Sequence, residues 1–227
     1  MKRIQKNAIA ALTAVAALAF QASAWSAPIN YIGADPGAGS PGAMPVSNAT
    51  RAAWDAAAPG SSIITFEGAL PAGVSIIGGT TTSVSGCGFA LCGDNTTLGG
   101  SFFRQAFGGS ITYSFSTAID AFGSYFSGLQ TSIVTTETIT YSDGSSQTIA
   151  LPPGMSGGAA FVGFTDFGKS ISSVTYFADF DIVAMDDVVF HTAAAIPEPE
   201  TYAMLLAGLG LLGFAARRRK LKEAAAA

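Results

Sequence analysis

Basic side chains are what the middle of this chain lacks. Between Trp25 and Ala195 it holds only Arg51, Arg104 and Lys169 against twelve Asp and Glu, a formal charge of −9. A surface so poor in cations cannot neutralise a phosphate backbone, which excludes nucleic acid as a partner, and it is repelled by anionic lipid headgroups. Histidine is reduced to one residue, His191, at the end of the last apolar stretch. A general base needs a second group to hold it in position, and nothing beside His191 in sequence supplies one. No Gly-x-Ser-x-Gly elbow and no phosphate-binding glycine loop occurs, and the middle segment has only two glutamates, Glu67 and Glu137. The expectation is a protein that is not an enzyme. Cysteine is limited to Cys87 and Cys92. With no second Cys or His pair to complete a metal site, the pair reads as one disulfide in an oxidising compartment, pinning a short loop.

The other cations sit at the two ends: eight of the eleven Lys and Arg lie there. Lys2, Arg3 and Lys6 precede an apolar stretch from Ala8 to Phe20 and the small residues Ala22-Ser23-Ala24. That is the pattern of a signal peptide, residues 1–24, cleaved after Ala24. At the other end Pro197-Glu198-Pro199 precedes an uncharged run from Thr201 to Ala216, and then Arg217, Arg218, Arg219 and Lys220. The two prolines exclude a helix interior and stiffen the junction. As a helix the apolar run spans about 24 Å at ~1.5 Å per residue, short of a ~30 Å hydrocarbon core. Snorkelling arginines and local thinning of the bilayer cover the difference. The basic cluster is the cytoplasmic stop, so both basic ends lie inside and the acidic segment outside.

This tail, residues 196–227, resembles the PEP-CTERM sorting signal of Gram-negative bacterial proteins associated with exopolysaccharide. The resemblance implies that a membrane protease-transpeptidase, exosortase, recognises Pro197-Glu198-Pro199 and processes the chain near it. The apolar helix is then a temporary inner-membrane anchor, and the destination is the cell surface or extracellular matrix.

Residues 25–60 read as an irregular leader carrying one short helix. Ser47 or Asn48 is the candidate N-cap, alanines propagate the helix, Trp54 packs on the domain, and Pro59-Gly60 stops it. Residues 61–195 read as strands: short β-branched and aromatic runs divided by Gly, Ser and Thr at intervals of about ten residues. Ser142-Asp143-Gly144-Ser145 between two such runs is a hairpin signal. The fold expected is mainly β, an antiparallel, jelly-roll-like β-sandwich with one short N-terminal helix, flanked by a signal helix and a C-terminal transmembrane helix.

Four aspartates, Asp179, Asp181, Asp186 and Asp187, surround the last strand. Adjacent carboxylates in an apolar strand call for solvent or a cation, and hard oxygen ligands suit Ca²⁺. Phe66-Glu67 near the first strand together with Asp186-Asp187-Val188 on the last resembles jelly-roll carbohydrate-binding modules, in which those strands lie close. That resemblance implies a calcium site using Glu67 with Asp186 or Asp187. Phenylalanine dominates the aromatics, and at alternating positions it belongs to the core; Tyr125 and Tyr141 are the candidates for stacking on sugar rings. The functional expectation is an exported surface or matrix protein with a structural or adhesive role in the envelope or exopolysaccharide. A calcium-stabilised carbohydrate-binding module is the alternative.

Overall fold

The computed structural model describes residues 27–87, 91–96, 100–129, 135–151, 158–193 and 204–214. The signal segment 1–24, the Pro-Glu-Pro junction and the basic cluster 217–220 lie outside the described residues.

Among the described residues nine antiparallel strands form one curled sheet: β1 (Ile29–Pro36), β2 (Ser62–Ile64), β3 (Val74–Ile77), β4 (Thr80–Thr82), β5 (Phe103–Ser127), β6 (Thr135–Tyr141), β7 (Ser146–Ala150), β8 (Gly158–Thr165) and β9 (Ile171–Thr192). The main path is β1-β8-β5-β9-β6-β7, with β2 added to β9 and with β3 and β4 added to β5. The sequence reads β5 as three runs, 102–107, 111–115 and 119–126, and β9 as two, 171–177 and 182–191, but in the structure each is one long strand that bends. The start of β5 pairs with the C-terminal half of β9, from Arg104↔Met185 to Phe107↔Ile182, and after the first bend β5 pairs with the N-terminal half of β9, from Gly109↔Ala178 to Ser114↔Ser173. Their C-terminal halves pair with each other from Ile119↔Thr192 to Ser127↔Ala184. Register shifts at Phe107/Gly109 and Ser114/Ile119 mark the bends, and Gly108 and Gly109 take φ of 69° and 82° there. These are left-handed conformations that cost glycine little. Each long strand thus contributes to both layers of a sandwich. One layer holds β1, β8, β2, β4, residues 104–107 and 119–127 of β5 and residues 182–192 of β9; the other holds β3, β6, β7, residues 109–114 of β5 and residues 171–178 of β9.

The interior between the layers is aromatic. Tyr113 and Phe122 meet at 5.4 Å between ring centroids, Phe122 and Tyr176 at 6.1 Å, and Phe126 and Tyr176 at 4.8 Å. Alternation places Thr135, Glu137, Ile139 and Tyr141 of β6 inward and Thr136, Thr138 and Thr140 outward, as a period of two requires.

Two readings of the leader are corrected. Residues 29–36 are not irregular: they form β1 on the edge of β8. Its pattern was hidden because its buried positions include Gly33 and Asp35. The helix α1 (Pro45–Ala57) begins earlier than expected, and neither Ser47 nor Asn48 is its N-cap. The free amides of its first turn are bound from outside. Asp35 Oδ1 accepts from Val46 N at 3.0 Å, and Asp35 Oδ2 accepts from Ser47 N at 2.7 Å and from Ser47 Oγ at 2.6 Å. A carboxylate at this end also suits the helix dipole. Burial alone would raise the Asp35 carboxyl, but the Ser47 hydroxyl and the Ser47 and Val46 amides hold it below the usual carboxylate range.

The expected helix stop and Trp54 packing are found. Trp54 is fully buried and its Nε1 donates to Phe164 O at 3.0 Å. A second apolar cluster, including Met44, Trp54, Phe161 and Val189, joins α1 to the outer face of the β1–β8 layer. Residues 204–214 form a further helix, α2. Among the described residues no helix is long and apolar enough to cross a membrane.

Candidate functional site

The carboxylates proposed from sequence as calcium ligands grip the two ends of one segment. Glu67 Oε1 accepts from Ser101 N at 2.5 Å and from Phe102 N at 2.7 Å. The Phe102 amide first and the Ser101 amide second draw its carboxyl below the usual range. Asp186 is buried, and its Oδ2 accepts from Thr96 N at 3.3 Å while its Oδ1 accepts from Asp187 N at 2.8 Å. Asp187 lies at φ 44°, and its carbonyl accepts from Arg51 Nη1 at 3.4 Å. Among the described residues no group of three or more His, Cys, Asp or Glu converges as a metal centre. The same region is secured by Ser127, whose Oγ accepts from Asp94 N at 2.8 Å and donates to Asp94 O at 2.7 Å. Gln105 Nε2 donates to Gly93 O at 2.6 Å. Cys87 and Cys92 form the expected disulfide, with Cα atoms 5.4 Å apart.

The two tyrosines named as stacking candidates show no ring face to solvent. Tyr125 is 7% exposed and donates to Asn48 Oδ1 at 2.8 Å; burial pushes its phenol up to about 12. Tyr141, equally covered, donates to Asp166 Oδ2 at 2.7 Å. His191 does have a partner, which sequence reasoning missed because it lies 71 residues away: Asp120 Oδ1 stands 2.7 Å from His191 Nδ1. Asp120 is buried at the irregularity between Ile119 and Ala121. The pair positions the imidazole, whose ring meets Phe167 edge-on at 5.9 Å.

One carboxyl stands in the core. Glu137 on β6 is fully buried opposite Tyr176 on β9. Its Oε1 accepts from the Tyr176 hydroxyl at 2.7 Å, and its Oε2 has no hydrogen-bond partner among the described residues. Burial pushes the acid up to about 8, against the smaller opposing pull of the Tyr176 bond. A carboxyl in this setting stays protonated at neutral pH.

The two outer faces of the sandwich differ. Helix α1 covers the β1–β8 layer; the outward positions of β7, β6, β9 and β5 in the other layer carry a regular array of hydroxyls. Register aligns Thr148, Thr138, Thr175 and Thr112 in one row across four strands. The row on one side is Ser146, Thr140, Ser173 and Ser114, and on the other Ala150, Thr136, Phe177 and Ser110. Every one of these twelve is half-buried or exposed, and none is charged. Hydroxyls within the central row bond each other: Thr112 to Thr175 at 2.9 Å and Thr138 to Thr148 at 3.1 Å. At the Phe177 end of the array three phenyl rings are exposed, Phe107 by 69%, Phe177 by 47% and Phe180 by 90%. All three flank the bend in β5 and β9. Phe177 pairs with Ser110, and a Cβ on Gly108, next to Phe107, would stand 3.5 Å from Phe180 N. Phe180 itself takes φ 54°, a rare conformation for a bulky residue. A face of this kind can donate and accept hydrogen bonds and offer apolar rings, with no charge requirement on its partner.

Comparison with known proteins finds the PEP-CTERM protein-sorting motif at residues 195–220. The tail identified from Pro197-Glu198-Pro199 and the basic cluster is therefore that motif. No curated protein is matched. Similar solved structures include the K2 cleaved adhesin domain of Lys-gingipain, at 14% identity and TM-score 0.40, covering 59% of this chain and 99% of that one. A mutant of a family 29 carbohydrate-binding module is similar at 12% identity and TM-score 0.35, covering 61% and 96%. The enzymatically active domain of tailspike protein 4 of bacteriophage CBA120 is similar at 13% identity and TM-score 0.31, covering 53% and 19%. At these scores the likenesses carry no argument about function.

Proposed function

We propose that the chain is exported across the inner membrane, held briefly by its C-terminal segment, and released by exosortase to the cell surface or exopolysaccharide matrix. There its β-sandwich serves a structural or adhesive role and does no catalysis. The observation that carries this reading is the sorting motif at 195–220. The acidic middle segment between two basic ends supports it through the positive-inside rule. A calcium-stabilised carbohydrate-binding module is the alternative in another class.

The test is replacement of Pro197, Glu198 and Pro199 by alanine in a host that encodes exosortase. Export is expected to continue while an unprocessed, membrane-associated form accumulates. Normal processing and release of the variant would remove the sorting reading.

A further inference from the structure

We propose that the bare hydroxyl face of β7, β6, β9 and β5, with the phenyl rings at its end, is the docking surface for a neutral polysaccharide chain. The proposal deepens the reading above by giving the adhesive domain its contact surface and its partner's chemistry. Three observations select the occupant. First, charge: the segment from Trp25 to Ala195 carries a formal −9, yet the array's twelve positions carry none. An anionic polymer is repelled by the domain as a whole, and a cationic one finds no carboxylate in the array. Second, chemistry: each Thr and Ser hydroxyl is both donor and acceptor, which matches a partner whose own groups are hydroxyls and ring oxygens. β-Branched Thr138, Thr148, Thr175 and Thr112 are stiff at χ1, and the Thr138–Thr148 and Thr112–Thr175 bonds hold the hydroxyls in place before binding. Third, rings: Phe107, Phe177 and Phe180 expose apolar faces where the array ends, and aromatic rings pack well on the C–H faces of sugars.

Sheet geometry decides between a chain and a crystalline surface. Adjacent strands rotate by ~20–25°, so four of them cannot stay in register with a flat lattice. A single flexible polymer can follow the twist. The conformation of Phe180 fits the same purpose. Backbone strain of this kind persists where the surroundings enforce it and is common at binding sites; here it turns the ring into solvent.

The experiment uses the full chain in native gels cast with galactomannan, a soluble β-glucan or dextran, and with alginate as the anionic control. Migration is measured for the wild type, for Phe177→Ser combined with Phe180→Ser, and for Thr138→Ala combined with Thr175→Ala. The wild type is expected to be retarded in at least one neutral gel and not in alginate. The phenylalanine variant should lose at least 10-fold in apparent affinity, and the threonine variant several-fold, with circular dichroism unchanged in both. No retardation in any neutral gel overturns the proposal, as does retardation that both variants retain or that occurs in alginate alone. A concentration-dependent dimer abolished by the phenylalanine variant, without glycan binding, assigns the face to a second copy instead. Failure here is separable from failure of the sorting reading, because tail processing is scored independently of gel migration.

Discussion

Replacing Glu137 by glutamine should remove a pH dependence from the stability of the domain. Glu137 is buried opposite Tyr176, one oxygen bonded and the other without a partner among the described residues. Burial pushes the folded carboxyl up to about 8, whereas a glutamate in an unfolded chain loses its proton at pH ~4.3. Between those values the unfolded chain has lost the proton and the folded chain still binds it. Stability therefore falls as pH rises through that window and is fully present only below the unfolded value. At 1.36 kcal/mol per pKa unit, raising the pH from 5 to 8 costs the wild type roughly 4 kcal/mol through this one group. That is a large part of the ~5–15 kcal/mol that holds a typical domain. Glutamine keeps the shape and an acceptor for Tyr176 but does not ionise, so it leaves this term out. The assay is urea unfolding at pH 5, 6, 7 and 8 for wild type and Glu137→Gln. Other titrations are common to both proteins and cancel in the difference. The two should be close at pH 5 and diverge by several kcal/mol at pH 8, the variant being the more stable. Parallel pH profiles would refute the account of a protonated core carboxyl.

Asp35→Ala removes the only side chain among the described residues bound to the α1 amides in the first turn, and should cost about 1–2 kcal/mol, read as a lower melting temperature at neutral pH. Because the folded Asp35 carboxyl is held below its usual range, the wild-type advantage over this variant should be present above pH 4 and shrink as the pH falls through the folded value. Cys87→Ser opens a small loop and should lower stability by roughly 2 kcal/mol; a wild type whose melting is unaffected by reductant would show that the bond contributes nothing. Phe180→Gly relieves the left-handed backbone at φ 54° and should raise stability by about 1 kcal/mol while weakening retardation in the neutral-glycan gels. Gain on one measure with loss on the other separates a binding role from a structural one.

What was legible in the sequence was local. Alternation marked residues 111–115 of β5 and, less strictly, residues 171–177 of β9, the Asp143-Gly144 turn fixed the β6–β7 hairpin, and Pro59-Gly60 ended α1. β1 was not legible, because its inward positions hold a glycine that lets the helix approach and an aspartate that caps it. At Gly33 a Cβ would stand 2.0 Å from Thr50 Oγ1. The unity of β5 and β9 was hidden by their bends, since a glycine pair within a strand looks like a turn until both sides pair with the same neighbour. Thr136, Thr138 and Thr140 could be seen to share a face. That Thr148, Thr175 and Thr112 fall in line with Thr138 depends on a register set by partners 37 and 63 residues away, which no local pattern encodes. The same distance concealed Asp120 from His191.

Strand β9 carries Thr175 and Phe177 at its outer face and ends at Thr192, just before the Pro-Glu-Pro junction. Under the proposal above it is the mechanical link between a glycan bound to that face and whatever holds the C-terminus. A pull between those two points runs along the strand. Ladder hydrogen bonds lie perpendicular to antiparallel strands, so such a load shears many of them together against β5 and β6 instead of opening them one by one from an end. Because β5 and β9 run through both layers, neither layer can slip free of the other under that load. Under such a load the ladder would fail late and all at once.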